Sequence, residues 1–106
     1  PVIRAIAQDM AGAPDAGTIS ARFHETIARM LAATAEIVCE KNGINTVALS
    51  GGCFANKRLL ARCMERLERR HLQVLFPRLV PCGDAGLALG QAVAAAAMYE
   101  RAGACV

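Results

Sequence analysis

Residues 46–56 read Thr-Val-Ala-Leu-Ser-Gly-Gly-Cys-Phe-Ala-Asn, and their reading decides the fold. Val47-Ala48-Leu49 is an unbroken apolar run, the pattern of a strand covered on both faces. Gly51-Gly52 ends the run, and a Leu- and Arg-rich stretch of helical period follows over 56–70. Strand, glycine turn and helix make the first part of a βαβ unit. A second apolar run at 72–76 supplies the returning strand, and residues 85–101 a closing helix. Strands joined through a helix should be parallel, with a right-handed crossover.

Working outward, residues 2–11 have the pattern of a short helix. Gly12-Ala13-Pro14-Asp15-Ala16-Gly17 interrupts it with turn-forming residues. A long helix is predicted from Thr18 or Ile19 to Lys41, with Ile19, Phe23, Ile27, Met30, Leu31, Ala35 and Val38 as its apolar stripe. Asn42-Gly43 supplies a left-handed stop. In helix 56–70, Leu59, Leu60, Cys63, Met64 and Leu67 should point inward. Lys57, Arg58, Arg62, Glu65, Arg66, Glu68 and Arg69 should point outward, with Glu65 and Glu68 relieving the repulsion between Arg62 and Arg66. The last helix reads as core. It carries Gly86, Gly90 and Ala94 at four-residue spacing, which would let another backbone press on that face.

The chain thus divides into a helix and loop (1–17), a long helix (18–43) and a βαβα unit (45–102). Two parallel strands do not make a stable sheet alone. The expectation is therefore an incomplete half-domain, completed by upstream strands or by a second copy. Self-association through the open sheet edge follows as a further expectation. The start at Pro1, without methionine, fits an excised piece of something longer.

Composition narrows the function classes. Of 106 residues, 55% are hydrophobic, enough for a core, whereas 4% are aromatic, so that core must be built from Ala, Leu, Val and Ile. Heavy alanine use predicts closely packed helices. A formal charge of +3, without an aromatic stacking platform, argues against nucleic acid. The apolar stretch 87–98 is too short to span a bilayer. The five cysteines, at positions 39, 53, 63, 82 and 105, are odd in number and form no CxxC pair. That argues against a disulfide framework or zinc knuckle and for small buried thiols in a reducing cytoplasm.

Two stretches carry candidate chemistry. The Gly51-Gly52 turn before a helix should present free amides at a helix N-terminus, a site that favours phosphate; a plain tight turn remains equally open. Neither GxxxxGK[ST] nor GxGxxG is present. The second stretch is Pro81-Cys82-Gly83-Asp84-Ala85-Gly86-Leu87-Ala88-Leu89-Gly90-Gln91, with Asp84 at the expected cap of the last helix. Asp84 is either an ordinary N-cap or a carboxylate aimed at a metal-bound nucleotide. Both stretches follow strands, so both should lie on the strand-end edge where α/β sheets bind ligands. Histidine contributes little here. His24, beside Phe23, reads as a packed or hydrogen-bonded structural residue, and His71 as a partner of a helix dipole.

Taken together, VALSGGCFANKRLL and VLFPRLVPCGDAGLALGQAVAAA resemble the C-terminal end of the HypF family of carbamoyltransferases, which mature nickel–iron hydrogenases. ARFHETIA, at 21–28, resembles the same family. The resemblance implies part of an actin/sugar-kinase/Hsp70-like ATPase fold. It implies a cytoplasmic enzyme that makes carbamoyl-adenylate from carbamoyl phosphate and ATP. The carbamoyl group then passes to the C-terminal cysteine of the partner HypE, on the way to the cyanide ligand of the hydrogenase iron. By position, Gly51 and Gly52 would lie against the nucleotide, Asn56 would hydrogen-bond it, and Gly83 and Gly86 would shape the second loop. Asp84 would bind a divalent metal ion completed by upstream histidines. The chain departs from the family at Cys53, usually an apolar position, at Ala55, often polar, and in lacking an HxxxH motif. On this reading the fragment alone is inactive and Cys53 has no catalytic role. The alternatives are an O-carbamoyltransferase, a threonylcarbamoyl tRNA-modification enzyme, or a non-catalytic nucleotide-binding or assembly module.

Overall fold

In the computed structural model, residues 2–12 and 15–103 are described. Helix α1 (Val2–Ala11) leads to the long α2 (Ala16–Asn42). Strand β1 (Thr46–Ala48), α3 (Lys57–Glu68) and β2 (Gln73–Leu75) form the βαβ unit, and α4 (Leu87–Gly103) closes the chain. The strands are parallel, with Thr46 opposite Gln73 and Ala48 opposite Leu75. Both are shorter than expected, although the ladder continues at each end through Gln73 N–H to the Asn45 carbonyl (2.7 Å) and Leu49 N–H to the Leu75 carbonyl (2.8 Å).

Helix ends follow capping chemistry. Asp15 starts α2 earlier than its apolar pattern implies: its carboxylate accepts from Thr18 N (3.1 Å) and Thr18 Oγ1 (2.6 Å). These bonds hold the Asp15 carboxyl below the usual carboxylate range, the Thr18 hydroxyl contributing most. Ala13 and Pro14, in the expected break, lie outside the described residues. Gly43 ends α2 at φ 65° as anticipated, with Ile44 N–H bonding back to the Cys39 carbonyl (3.0 Å). His71 ends α3 in the same way, at φ 58°, with Leu72 N–H on the Leu67 carbonyl (3.2 Å). A non-glycine residue there is uncommon and strained.

The core joins α2, α3 and the first strand–turn segment. Ala28 and Ala32 are fully buried, with Leu49, Phe54, Leu59, Cys63 and Leu67 around them. This matches the alanine-rich packing and the inward face of α3. It corrects the α2 stripe: Phe23, Met30, Leu31 and Val38 are exposed, while the alanine side packs inward. Small side chains let the helices approach closely. The larger ones turn elsewhere, Phe23 toward α1 and Leu31 and Val38 toward an apolar groove beside β1.

Coverage of both sheet faces is also corrected, since only Val47 and Thr46 in β1 and Val74 in β2 are even half-buried. No residue of α4 is buried, against the expectation of a core helix. Leu87, Leu89, Val93 and Met98 are all more than half exposed, because nothing in the described chain packs over them. Among the thiols, Cys39 and Cys63 are buried as expected, whereas Cys53 is exposed on a turn; Cys105 lies outside the described residues. Burial pushes the Cys63 thiol up, and the neighbouring Cys53 adds to the effect.

Candidate functional site

The two strand-end turns are joined. Gly51 N–H donates to the Cys82 carbonyl at 2.6 Å, and Ser50 Oγ donates to the same oxygen at 3.4 Å. A Cβ on Gly83 would stand 3.5 Å from Gly52 Cα, so the second turn packs on the first through two glycines. The common edge expected from the βαβ order is therefore present, and it gathers Gly51, Gly52 and Gly83.

The paired glycines have separate reasons. Gly51 has φ 113° and ψ 152°, a region essentially closed to residues with a Cβ. Gly52 needs no special φ; a Cβ there would meet nothing within 4 Å, so the space above it is open. Gly86 is closed by contact, since a Cβ would fall 2.4 Å from the Pro81 carbonyl oxygen. Gly90, expected to receive a packed backbone, instead faces open space. A concavity of about 610 Å³ lies between the second turn and α4, with Ser50, Cys82, Gly83, Gly86 and Gly90 among its walls. That is within the size range of small-molecule sites.

The helix-terminus expectation needs correction. A 3-10 turn (Gly52–Ala55) separates the glycines from α3, and Asn56 is the N-cap. Asn56 Oδ1 accepts from Arg58 N (3.0 Å) and Leu59 N (3.2 Å), so the second and third amides of α3 are already satisfied. Within the turn, the Gly52 and Cys53 amides find no acceptor among the described residues, and neither does the Lys57 amide at the start of α3.

Asp84 opens a short 3-10 turn (Asp84–Gly86) ahead of α4 rather than capping that helix. Its exposed carboxylate makes no hydrogen bond or ion pair among the described residues. Among those residues no three His, Cys, Asp or Glu side chains converge as a metal site. His24, by contrast, is fully engaged: Nδ1 lies 2.7 Å from the Ser20 carbonyl and Nε2 lies 2.7 Å from Asn56 Nδ2. The sequence offered no signal for this pairing across 32 positions.

The basic face of α3 is largely neutralised. Glu65 pairs with Arg62 (2.8 Å) and Arg69 (2.5 Å), which hold its carboxyl low, the Arg62 hydrogen bond foremost. Arg62 and Arg66 reach Glu25 on α2, and Arg70 reaches Glu36 (2.6 Å). The relief expected from Glu68 comes instead from Glu25, across the helix pair. No described helix is long and apolar enough to cross a membrane.

Comparison with known proteins gives this geometry a lineage. Residues 1–91 match the family described as "Carbamoyltransferase, Kae1-like Domain, second subdomain". A carbamoyltransferase HypF homolog of Cupriavidus necator is 51% identical over 77 residues, covering 73% of this chain and 20% of that protein. Carbamoyltransferase HypF of Rhizobium leguminosarum bv. viciae is 37% identical, over 86% of this chain and 12% of its own length. A tRNA N6-adenosine threonylcarbamoyltransferase of Corynebacterium aurimucosum is 36% identical, over 79% of this chain and 24% of its own. The crystal structure of full-length HypF in its phosphate- and nucleotide-bound form superposes with a TM-score of 0.87 at 39% identity, covering 92% of this chain and 13% of that one. The chain thus spans a quarter or less of each of these proteins. Its parallel βαβ unit is part of an actin/sugar-kinase/Hsp70-like α/β fold. With the family match, the fold and the fused glycine turns in agreement, the chain belongs to the HypF carbamoyltransferases, as the second subdomain of their Kae1-like domain.

Proposed function

We propose that this subdomain supplies the nucleotide-facing turns of an enzyme that uses carbamoyl phosphate and ATP, through carbamoyl-adenylate, to carbamoylate the C-terminal cysteine of a HypE-like acceptor. One observation carries the reading. Two glycine turns are fused at the strand ends, the first with its Gly52 and Cys53 amides unspent and the second carrying the unpartnered carboxylate of Asp84. The phosphate- and nucleotide-bound state of the similar HypF structure supports it.

The chemistry fits these groups. In carbamoyl-adenylate the carbonyl carbon is bonded to a phosphate oxygen. The acceptor thiolate forms a C–S bond to that carbon, the C–O bond breaks, and AMP leaves with the electron pair. Amide donors aimed at the phosphate stabilise the departing charge. Asp84, a hard oxygen donor with no competing partner, suits a divalent cation, with the remaining ligands coming from upstream histidines. Such a cation would neutralise phosphate charge when bound. Gly51 and Gly52 would admit the nucleotide to the backbone, Gly83 would hold the second turn in place, and Asn56 would contact the nucleotide. The upstream half of the domain would cover α4 and the sheet edge. An isolated fragment would leave that edge free for self-association and would be inactive.

The test is Asp84→Ala in the full-length protein. Carbamoyl transfer to a HypE-like acceptor should be lost and bound metal should fall; retention of both would overturn the reading. The threonylcarbamoyl relatives support a second reading, in which the acceptor is an adenosine of tRNA. Assaying both acceptors with one preparation separates the two.

A further inference from the structure

We infer that His24 is a positioning residue for Asn56: it fixes the side-chain amide at the start of α3 and, through it, sets the affinity of the site for an adenine nucleotide. The inference rests on the proposed contact between Asn56 and nucleotide, and adds a residue from a different helix. The hydrogen-bond chain has one consistent assignment. The peptide N–H groups of Arg58 and Leu59 can only donate, so the atom they meet is Asn56 oxygen. The other end of the amide is therefore NH2, and it donates to His24 Nε2 at 2.7 Å. At the far side of the ring, the Ser20 carbonyl can only accept, so His24 Nδ1 carries the proton. The ring is thus the neutral Nδ1–H form, with its Nε2 lone pair facing Asn56. Phe23 meets it edge-on, with centroids 5.9 Å apart and planes at 84°.

Turning the Asn56 amide over would break this arrangement at both ends. An NH2 group would face the two peptide donors, and an oxygen would face the Nε2 lone pair. With the amide held, one N–H is committed to His24, and the second has no acceptor among the described residues. Asn56 is exposed, so that second N–H is accessible to a ligand. The residue thereby does two things at once, capping α3 with its oxygen and keeping a donor available. His24 anchors that donor to α2, the longest described helix of the subdomain.

The experiment is calorimetric titration of the full-length protein with ADP, alongside thermal melting and the KM for ATP. Asn56→Ala should weaken ADP binding. His24→Phe retains an aromatic ring beside Phe23 but removes the acceptor, and should weaken binding about threefold to tenfold, the worth of one hydrogen bond. His24→Gln returns an acceptor near the Nε2 position and should restore binding to within about twofold. KM should rise with kcat retained. In an Asn56→Ala background, His24→Phe should add nothing, an interdependence that a purely structural histidine would not show. Unchanged ADP affinity in His24→Phe, with Asn56→Ala weakened, overturns the positioning role and leaves the nucleotide reading standing. Unchanged affinity in Asn56→Ala overturns both. Additive losses overturn the inference by giving His24 a separate role. Should His24→Phe fail to fold, His24→Met against His24→Gln makes the same comparison.

Discussion

The α2–α3 pair and α4 are both rich in alanine and leucine, yet they are packed oppositely. Between α2 and α3, Ala28 and Ala32 are sealed against Leu59, Cys63 and Leu67, and carboxylates of α2 pair across the seam with Arg62 and Arg66 of α3 and with Arg70 just beyond it. Along α4 no residue is buried. The radius of gyration is 18.4 Å, against about 13 Å for a compact domain of 100 residues. The difference teaches where the subdomain is self-sufficient. One half carries its own core; the other presents an apolar helix that nothing among the described residues covers.

Substitutions should divide along the same line. The largest effect belongs to Leu67→Ala, which empties a site only 2% exposed and should cost about 2–5 kcal/mol in chemical denaturation. Leu89→Ala in α4 should stay within about 0.5 kcal/mol. Equal losses at the two positions would erase the contrast. Next comes Gly51→Ala, at φ 113°, where backbone strain should cost about 1–3 kcal/mol although the residue lies at the edge of the core.

Smaller still is the loss expected from Asp15→Ala, which removes the N-cap of α2 and should lower the melting temperature slightly. Its pH dependence has a defined sign. The folded-state pKa of Asp15 is depressed, so its contribution is complete above the ordinary carboxylate value and is lost as pH falls through the lower, folded value. Acid titration of helix content should show that loss in the parent and not in Asp15→Ala. The smallest change runs the other way. His71→Gly relieves a positive φ and should raise stability by up to about 1 kcal/mol, the glycine gaining entropy in the unfolded chain as a partial offset. A loss there would mean that the imidazole makes a favourable contribution at the end of α3.

Much of this organisation was legible in the sequence. The order of helices and strands follows from periodicity, the end of α2 from Asn42-Gly43, and the shared edge of the two turns from the parallel βαβ order. The α2 stripe misled because side-chain size was taken as the guide to burial. In a close helix pair the alanines go inside, and Phe23 and Leu31 have other neighbours. The burial of α4 misled because apolar composition was taken as burial, whereas nothing among the described residues packs over that helix. Asp84 looked like a cap, but it opens a 3-10 turn, and Ala85 and Gly86 stand between it and α4. The bond between His24 and Asn56 was illegible because it depends on how two helices cross, which no local pattern encodes.

The short bond from Gly51 N–H to the Cys82 carbonyl also marks a place to watch motion. It ties the base of the whole excursion through α3 and β2, so that excursion cannot swing out without first exposing one particular proton to solvent. Gly51 is only half-buried, and a free amide so placed would exchange quickly with deuterated water. Held by this bond, its exchange rate becomes a local clock for the opening of the strand-end edge, slowing whenever something bridges the two turns.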